Sequence, residues 1–308
     1  MRPTLRQLQY IVAVADTGRF SDAAQKLHVS QPSLSAQVAE AEAHLGAPVF
    51  ERSRAGVLVT PAGQEVVRRA RYILRQVEDM KAAVEHGREG LYGRIKLGVL
   101  PTIGPYLLPR CTHYLHERFP DLRLSIRDEA TVDLTKRLAD GQLDTVISTR
   151  EDHPGCSYEP LFTEHLWIAV PPEDELSKSR DPVSLADLAG RPFLTLGLGH
   201  RLTLMVQSLA QRADAYVSTD YEGTSLDAVR HMAAMGAGVA ILPDLYVRCE
   251  AVRDENLSFR RIEDPGAHRD ISLVWRENSP LESSFRALAA VLGKAAGEIL
   301  ADPEPIPL

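Results

Sequence analysis

Hydrophobic periodicity changes once along this chain, close to residue 93, and the change divides the chain into two kinds of architecture. Before residue 93, apolar residues recur at helical spacing in three short segments and one long segment. After it, short apolar runs that are typical of buried strands alternate with helical patterns. This alternation predicts βαβ units with right-handed crossovers, and about 215 residues are more than one such sheet usually takes. We therefore expect two α/β subdomains with a cleft between them.

The strand predictions after residue 93 rest on apolar runs, and the helix predictions rest on apolar residues at helical spacing. The predicted strands are 95–100, 122–126, 145–148, 166–170, 193–196, 239–242 and 271–275. The predicted helices include 131–139, 202–212, 225–235 and 281–300. Another helix is expected to begin at residues 101–104, directly after the first of these strands.

The first part of the chain begins with three predicted short helices. Thr4 can cap the first helix, with Gln7 three places further on to complete a capping box. Ser21 is the predicted cap of the second helix, and Ser30 is the predicted cap of the third. Pro32 is tolerated in the third helix because the N–H groups of a first turn have no partner inside the helix.

A small hairpin is predicted after the third helix. Leu34, Val38 and Leu45 form the predicted buried side of that helix. Residues 49–60 follow, and they indicate two short strands with Gly56 at the turn.

Thr60 and Pro61 give an N-cap followed by proline at the first helical position, and a long helix is predicted from there to about Glu89. Its apolar residues follow steps of three and four, the pattern of a heptad seam. The seam residues are Val66, Ala70, Ile73, Val77, Met80 and Val84. So narrow a stripe on a charged helix favours pairing with a second copy, while packing against its own domain is the alternative. Three glycines between residues 86 and 93 predict a hinge after the helix.

Composition restricts the classes of function. The chain has 308 residues, of which 44% are hydrophobic and 25% charged, as in soluble globular proteins. Its apolar runs are far shorter than the roughly 20 residues of a membrane span, and its N-terminus lacks a signal-peptide core, so we expect a cytoplasmic protein without membrane contact. Three widely separated cysteines predict reduced thiols. Because the sequence has no Walker loop, nucleophile elbow or HExxH motif, we expect no catalysis, no cofactor and no metal.

Residues 20–45 have the plan of a helix–turn–helix. Residues 1–93 hold 12 Lys and Arg against 10 Asp and Glu, whereas the remainder holds 23 against 32, so polyanion binding is permitted only at the N-terminal end. The third helix carries hydroxyl and amide side chains that can bond base edges, and the hairpin carries arginines that can meet phosphates. The DNA-contact candidates are Ser30, Gln31, Pro32, Ser33, Ser35, Gln37, Arg52 and Arg54. A helical bundle with an ordinary polar face is the alternative.

The stretch 8–60 strongly resembles the DNA-binding domain of LysR-type transcriptional regulators. The matching residues are LQYIVAVADTGRFSDAAQKLHVSQPSLSAQVAEAEAHLGAPVFER and then LVTPAGQ, of which VSQPSLS is highly specific. The order of parts resembles that family over essentially the whole chain. One departure is the acidic run 38–42, where the family usually has a basic residue. We therefore expect weaker phosphate contact from this helix and more from Arg52 and Arg54.

The resemblance implies the fold class and the domain bounds. We expect an all-α winged helix–turn–helix over 1–60, a dimerisation helix over 61–88 and a hinge over 89–93. An α/β effector domain with two Rossmann-like subdomains, as in type 2 periplasmic binding proteins, would follow. Its first subdomain would comprise 94–165 and 271–300, its second 166–270, and 301–308 would be a disordered tail.

The resemblance also implies the partners of the chain. They are double-stranded promoter DNA, further copies in a dimer or homotetramer, a small-molecule effector and RNA polymerase, with transcriptional activation as the outcome. The alternative is a cytosolic small-solute-binding protein without DNA function, which the α/β region alone would suit.

Within the family, the effector domain most resembles the OxyR-type hydrogen peroxide regulators. The segments that carry this resemblance are LGVLPTIGPYLLP, GQLDTVIS, LADLAGRPFLTLGLGHRL and TSLDAVRHMAAMGAGVAILP. Those regulators sense peroxide with a cysteine after the histidine that matches His200 and with a second cysteine nine residues later. Here Arg201 and Ala210 hold these places, so we expect no thiol–disulfide switch there. Cys111, Cys156 and Cys249 lie elsewhere and are interpreted as small buried hydrophobes.

The cleft between the subdomains is the expected effector site. Thr102 and Thr131 match cleft threonines of the family, and helix N-caps are the alternative role for both. The effector-binding candidates are Thr102, Thr131, His200, Arg201, Thr224 and Ser225. We hypothesise that the cleft binds a small carboxylate or another anion with Arg201 as its counter-charge, whereas an Arg201 that points to solvent is the alternative.

Overall fold

The computed structural model describes residues 3–53, 56–85, 91, 93–219, 223, 225–250 and 254–301. The chain divides into two compact units, one of Met1–Arg88 with Ala139–Gln142 and one of Glu89–Leu138 with Leu143–Leu308. Among the described residues, no helix combines the length and the apolar character that a bilayer span requires.

The first unit has the predicted order of three helices, a hairpin and a long helix. Its elements are α1 (Leu5–Thr17), α2 (Phe20–Lys26), α3 (Gln31–Leu45), β1 (Phe50–Ser53), β2 (Gly56–Val59) and α4 (Pro61–Glu85). The capping box at Thr4 and Gln7 is confirmed, and so is the Ser30 cap of α3. Thr60 caps α4, since its hydroxyl accepts from the Gly63 amide at 2.8 Å. Local capping chemistry therefore sets the start of three of these helices.

Two predictions about the helix–turn–helix are wrong. Ser21 is not a cap, because α2 begins at Phe20 with Arg19 in the N-cap position. Phe20 packs against the core, and its ring centroid lies 6.0 Å from that of Phe50. This packing places Phe20 in the helix as its first residue. Leu45 is 37% exposed because it is the last residue of α3, where the core-facing side of the helix ends.

The second unit alternates strands and helices as predicted. Its strands are β3 (Gly93–Val99), β4 (Leu122–Asp128), β5 (Thr145–Thr149), β6 (Cys156–Val170), β7 (Pro192–Leu194), β8 (Tyr216–Val217), β9 (Val239–Pro243), β10 (Ser258–Arg261) and β11 (His268–Arg276). Its α-helices are α5 (Gly104–Arg118), α6 (Thr131–Ala139), α7 (Arg201–Arg212), α8 (Leu226–Ala234), α9 (Asp244–Cys249) and α10 (Glu282–Ala301). The short elements β8, β10 and α9 were not predicted.

The strands follow the order β4-β3-β5-β11-β6-β9-β7-β8, and β10 also pairs with β6. Pairing is parallel at β3–β4, β3–β5, β7–β8 and β7–β9, as βαβ units require. The expectation of βαβ units throughout is wrong at the centre, where β11 and β6 run antiparallel to their neighbours. Residues Cys156 to His165 of β6 pair with β11, and the following residues pair with β9 and β10. A single long strand therefore runs from one half of the sheet into the other.

Each half of the sheet has its own hydrophobic core. One core joins β3, β5 and β11 to α5, α6 and α10, and we call this half subdomain I. The other joins β6, β7 and β9 to α7 and α8, and we call it subdomain II. The two α/β subdomains are confirmed, and the residue bounds between them stay predictions.

The predicted hinge and tail differ from the structure at one residue each. Gly93, which was assigned to the hinge, begins β3, and residues 86–90 and 92 lie outside the described part. Ala301, which was assigned to the tail, ends α10, and residues 302–308 lie outside the described part.

Candidate nucleic-acid interface and effector cleft

The third helix has one buried side and one open side. Leu34, Val38 and Ala41 are buried in the core of the first unit. The candidates Ser30, Gln31, Pro32 and Ser33 are exposed at its start, while Ser35 and Gln37 are half-buried. The exposed groups lie in the first turn of α3, the part of a recognition helix that contacts bases.

The acidic residues of α3 serve as hydrogen-bond acceptors inside the first unit. One carboxylate oxygen of Glu40 accepts from Gln7 Nε2 and from Gln37 Nε2, both at 3.1 Å. Glu42 accepts from the backbone amides that open the hairpin, Val49 at 2.7 Å and Phe50 at 3.0 Å. The expectation that this acidic run weakens phosphate contact therefore leaves out a second role, since its carboxylates also accept hydrogen bonds that hold the first unit together.

Two predicted phosphate contacts lie in or beside the hairpin. Arg52 belongs to β1, where it pairs in register with Val57. Arg54 lies outside the described residues. Phosphate contact by either arginine stays a prediction.

The predicted seam of α4 divides into two parts. Near its start, Ala70 is 1% exposed, so its assignment to an intermolecular seam is wrong for this chain, and the neighbouring Val67 belongs to the core of its own unit. Further along, Ile73 is 42% exposed and Met80 is 61% exposed. Val66 and Val77 are half-buried, and the side chain of Val84 lies outside the described part. Packing against its own domain therefore accounts for the burial of apolar residues in the first turns of α4. Pairing with a second copy through the later seam residues stays a prediction.

Thr102 takes part in a buried ionic network in the second unit. Arg269 Nη2 donates to Thr102 Oγ1 at 2.9 Å and lies 2.5 Å from Glu164 Oε1. The other oxygen of Glu164 accepts from the Leu245 amide at 3.2 Å. Thr102 is not the N-cap of α5, because Ile103 holds that position. Arg269 and Glu164 are not among the predicted site residues, and each lies among other polar residues in its strand, so no sequence signal marks them as buried partners.

Thr131 and Arg201 meet across the two subdomains. Thr131 begins α6 of subdomain I, and its hydroxyl oxygen accepts from the Arg201 amide at 3.1 Å. Arg201 begins α7 of subdomain II, where the N-cap residue His200 provides no side-chain cap. The N-cap interpretation of Thr131 is thus wrong, because Thr131 is the first residue of α6 and its hydroxyl accepts from the first turn of α7.

The Arg201 side chain is neither free nor directed only to solvent. Its Nη1 lies 3.2 Å from Asp152 Oδ1, and the second oxygen of Asp152 accepts from the Thr149 hydroxyl. The alternative of an Arg201 that only points to solvent is therefore wrong, because Asp152 contacts it. Its role as the counter-charge of an anion stays a prediction.

The remaining effector candidates have different surroundings. His200 is buried, and this burial lowers the pKa of its imidazole, which favours the neutral ring. Ser225 is an exposed N-cap whose hydroxyl oxygen accepts from the Ala228 amide of α8 at 3.5 Å. Thr224 lies outside the described residues. An effector contact by any of these residues stays a prediction.

None of the three cysteines is joined in a disulfide. Burial raises the pKa of Cys111 to about 11, and its Sγ donates to the Leu107 carbonyl at 3.3 Å. Burial also raises the pKa of Cys156. Because the thiolate is the reactive form, both thiols are poor nucleophiles near neutral pH. Cys249 is half-buried.

Two family descriptions match this combination of a helix–turn–helix unit and a two-subdomain α/β unit. The "LysR substrate binding domain" matches residues 88–297, and the "Bacterial regulatory helix-turn-helix protein, lysR family" matches residues 5–64. The chain belongs to the LysR family of transcriptional regulators.

The chain is also similar to individual proteins over most of its length. The chain is 38% identical over 289 residues to the DNA-binding transcriptional dual regulator OxyR of Escherichia coli K12, with 94% of each protein covered. A solved full-length OxyR variant from Pseudomonas aeruginosa has a TM-score of 0.76 and 30% identity, and the match covers 97% of this chain and 98% of that one. A hydrogen peroxide-bound OxyR mutant from Corynebacterium glutamicum has a TM-score of 0.67 and 30% identity, with 98% and 95% covered.

Proposed function

We propose that this LysR-family chain is a cytoplasmic, sequence-specific transcriptional activator controlled by a small ligand in the cleft between its effector subdomains. A thiol–disulfide switch at the positions used by the OxyR-type regulators is not part of this proposal. One observation carries it: the Arg201 amide bonds to Thr131 of the other subdomain. The resemblance implies that OxyR-type regulators have their first redox cysteine at this position, where this chain has arginine. A ligand that contacts either partner would act on the link between the subdomains.

We infer a small anion as the ligand class. Thr102, Thr131 and Arg201 are the polar groups that support this choice, and His200 would face the ligand as a neutral donor or acceptor. A guanidinium recognises carboxylates through paired N–H groups. The ligand would have to displace Asp152 from Arg201, because these two side chains are already in contact.

Anion control is tested by thermal melting of the full chain with a panel of sodium carboxylates, against sodium chloride at equal ionic strength. We expect at least one carboxylate to raise the melting temperature, and we expect Arg201→Ala to abolish the rise. No rise with any carboxylate, or an undiminished rise in Arg201→Ala, contradicts an anionic ligand.

We propose that DNA is read by the first turn of α3, with Gln31 and Ser33 at base edges and Arg52 and Arg54 at phosphates. Two copies joined by their α4 helices would present two such helices to one operator, and tetramers and RNA polymerase contact would follow on the promoter. The exposure of Gln31 and Ser33 supports this assignment.

The DNA proposal is tested by fluorescence anisotropy with a duplex from the promoter of the chain's own gene. We expect affinity to fall steeply with salt, and we expect Gln31→Ala with Ser33→Ala to lose the preference for this duplex over a random one. Gln64→Ala, an exposed amide on α4, serves as the control and should keep the preference. No binding at low salt would favour the alternative of a solute-binding protein without DNA function.

The names of relatives such as the hydrogen peroxide-inducible genes activator of Dickeya chrysanthemi make peroxide the obvious competing signal. We propose that peroxide does not switch this chain through a disulfide, because the resemblance implies that the two redox cysteines would fall at positions 201 and 210, where this chain has Arg201 and Ala210. DNA binding should be equal before and after brief peroxide treatment. A change that disappears when all three cysteines are replaced by serine would contradict this.

A further inference from the structure

The contact between Arg201 and Asp152 joins the two subdomains. Arg201 opens α7, whose residues Leu202 and Val206 are part of the core of subdomain II. Asp152 follows β5, whose residues Val146 and Ile147 are part of the core of subdomain I. The ion pair therefore links the two subdomains, next to the bond between the Arg201 amide and Thr131.

Asp152 is held in place by groups of its own subdomain. The Thr149 hydroxyl donates to one of its carboxylate oxygens, and the Thr135 hydroxyl donates to its backbone carbonyl at 3.3 Å. The carboxylate is 15% exposed. Its other oxygen is therefore fixed in position as an acceptor for Arg201.

The guanidinium of Arg201 is only partly satisfied by this partner. Its contact with Asp152 uses Nη1 alone, at 3.2 Å, which is long for a charged pair. Its Nε is buried and has no hydrogen-bond partner among the described residues. A buried donor without a partner costs free energy, and a carboxylate that reached both Nε and a terminal nitrogen would remove this cost.

From this geometry we propose that Asp152 is the internal competitor of the effector for Arg201. The effector, whose existence rests on the proposed function, is a small molecule with a free carboxylate. When that carboxylate bonds to Arg201, Asp152 loses its partner, and the ionic link between the subdomains is exchanged for a link through the ligand. Asp152 then sets the threshold concentration of the effector.

The test uses the full chain with Asp152→Asn, which preserves the size of the side chain and an acceptor for Thr149 but removes the charge. Sodium acetate is the probe, with sodium chloride at equal ionic strength as the reference, and melting temperature is the readout. We expect the half-saturating acetate concentration to be about tenfold lower in Asp152→Asn than in the unmodified chain. We expect Arg201→Gln to lose the acetate response.

The chain supplies a matched control pair. Arg191 and Asp174 lie within subdomain II and have side chains that are 31% and 16% exposed, against 32% and 15% for Arg201 and Asp152. Asp174→Asn removes an equivalent charge without touching the cleft. Its half-saturating acetate concentration should equal that of the unmodified chain. An equal tightening in Asp174→Asn, or no tightening in Asp152→Asn, overturns the competition.

Hydrogen exchange without acetate separates this proposal from the proposed function. We expect amides at the start of α7, including Arg201, to exchange about threefold to fivefold faster in Asp152→Asn, and not in Asp174→Asn. Faster exchange in Asp152→Asn with no acetate response in any variant would support the ionic link between the subdomains. It would refute control of the chain by a carboxylate ligand. Unchanged exchange would refute the link itself.

Discussion

The contribution of an ion pair to the stability of this molecule depends on how deeply its two side chains are buried. Glu164 and Arg269 are fully enclosed, so each charge depends on the other. Glu159 and Arg286 make a 2.6 Å pair on the surface, where water screens both charges. The two pairs look alike by distance, but the cost of losing one partner differs between them.

Replacing Glu164 by Gln should destabilise the second unit by roughly 3–5 kcal/mol, because it leaves the buried Arg269 guanidinium without a counter-charge. Glu159→Gln, on the same strand, should cost about 0–1 kcal/mol. Urea unfolding followed by circular dichroism measures both. Equal costs would mean that Arg269 finds another acceptor or takes up water.

Two buried histidines should make stability fall in mild acid. Burial lowers the pKa of both His200 and His153, so the folded chain favours the neutral rings while the unfolded chain protonates them near the ordinary pKa of about 6.5. Their contribution to stability is therefore complete above that value and is lost as the pH falls below it. In urea unfolding between pH 7.5 and 5, His200→Asn should flatten the decline, and an equally steep decline in this variant would contradict the contribution of His200.

At the scale of elements, helix starts were predicted well where a side chain caps the backbone, and badly where tertiary packing sets the boundary. Ser30 accepts from the Ser33 amide and begins α3 as its sequence pattern indicates. Ser21 has the same residue type, but the packing of Phe20 moves the start of α2 in front of it. Capping is local chemistry and is visible in a sequence, whereas the position of an aromatic anchor depends on residues far along the chain.

Ser30→Ala should therefore destabilise the first unit by about 0.5–1 kcal/mol, while Ser21→Ala should leave it nearly unchanged. The Ser21 hydroxyl donates to Asp22 on the surface and caps no helix. Thermal melts of the two variants against the unmodified chain test this. A larger loss in Ser21→Ala would contradict the observed start of α2.

The predicted strand at β6 is too short for the same physical reason. The apolar run 166–170 was found, but the first ten residues of β6 were not, because they mix polar and apolar side chains. Their partner is β11, which lies more than a hundred residues further along the chain. Periodicity detects strands that are buried on both faces, and it misses strands whose burial comes from a distant partner.

At the scale of the whole molecule, the family and the order of domains were accessible from sequence, whereas the cleft contacts were not. The candidates Thr102, Thr131 and Arg201 were found through the resemblance, and each has a buried or half-buried polar partner. Thr102 bonds to Arg269 and Arg201 contacts Asp152, and neither of these two partners belongs to a sequence motif. Only folding brings them together, since more than a hundred residues separate Thr102 from Arg269.

The exposed apolar residues of α4 allow the assembly state of the whole molecule to be tested. Ile73 and Met80 stay exposed on a helix whose earlier apolar residues Val67 and Ala70 are buried, and a second copy of the helix would cover them. Ile73→Glu with Met80→Glu should give monomers by analytical ultracentrifugation. Operator affinity should fall by about 100-fold or more, because the second half-site is then no longer held at high local concentration.

Leu5→Glu is the matched control for this pair, since Leu5 is 45% exposed on α1, close to the 42% of Ile73. It should keep both the assembly state and the affinity. If the Ile73 and Met80 double variant remained dimeric, the exposed seam would have another use, and the two recognition helices would have to be joined through the effector domains. Because each α3 helix reads only one half-site, loss of the dimer with no loss of affinity would contradict two-site recognition itself.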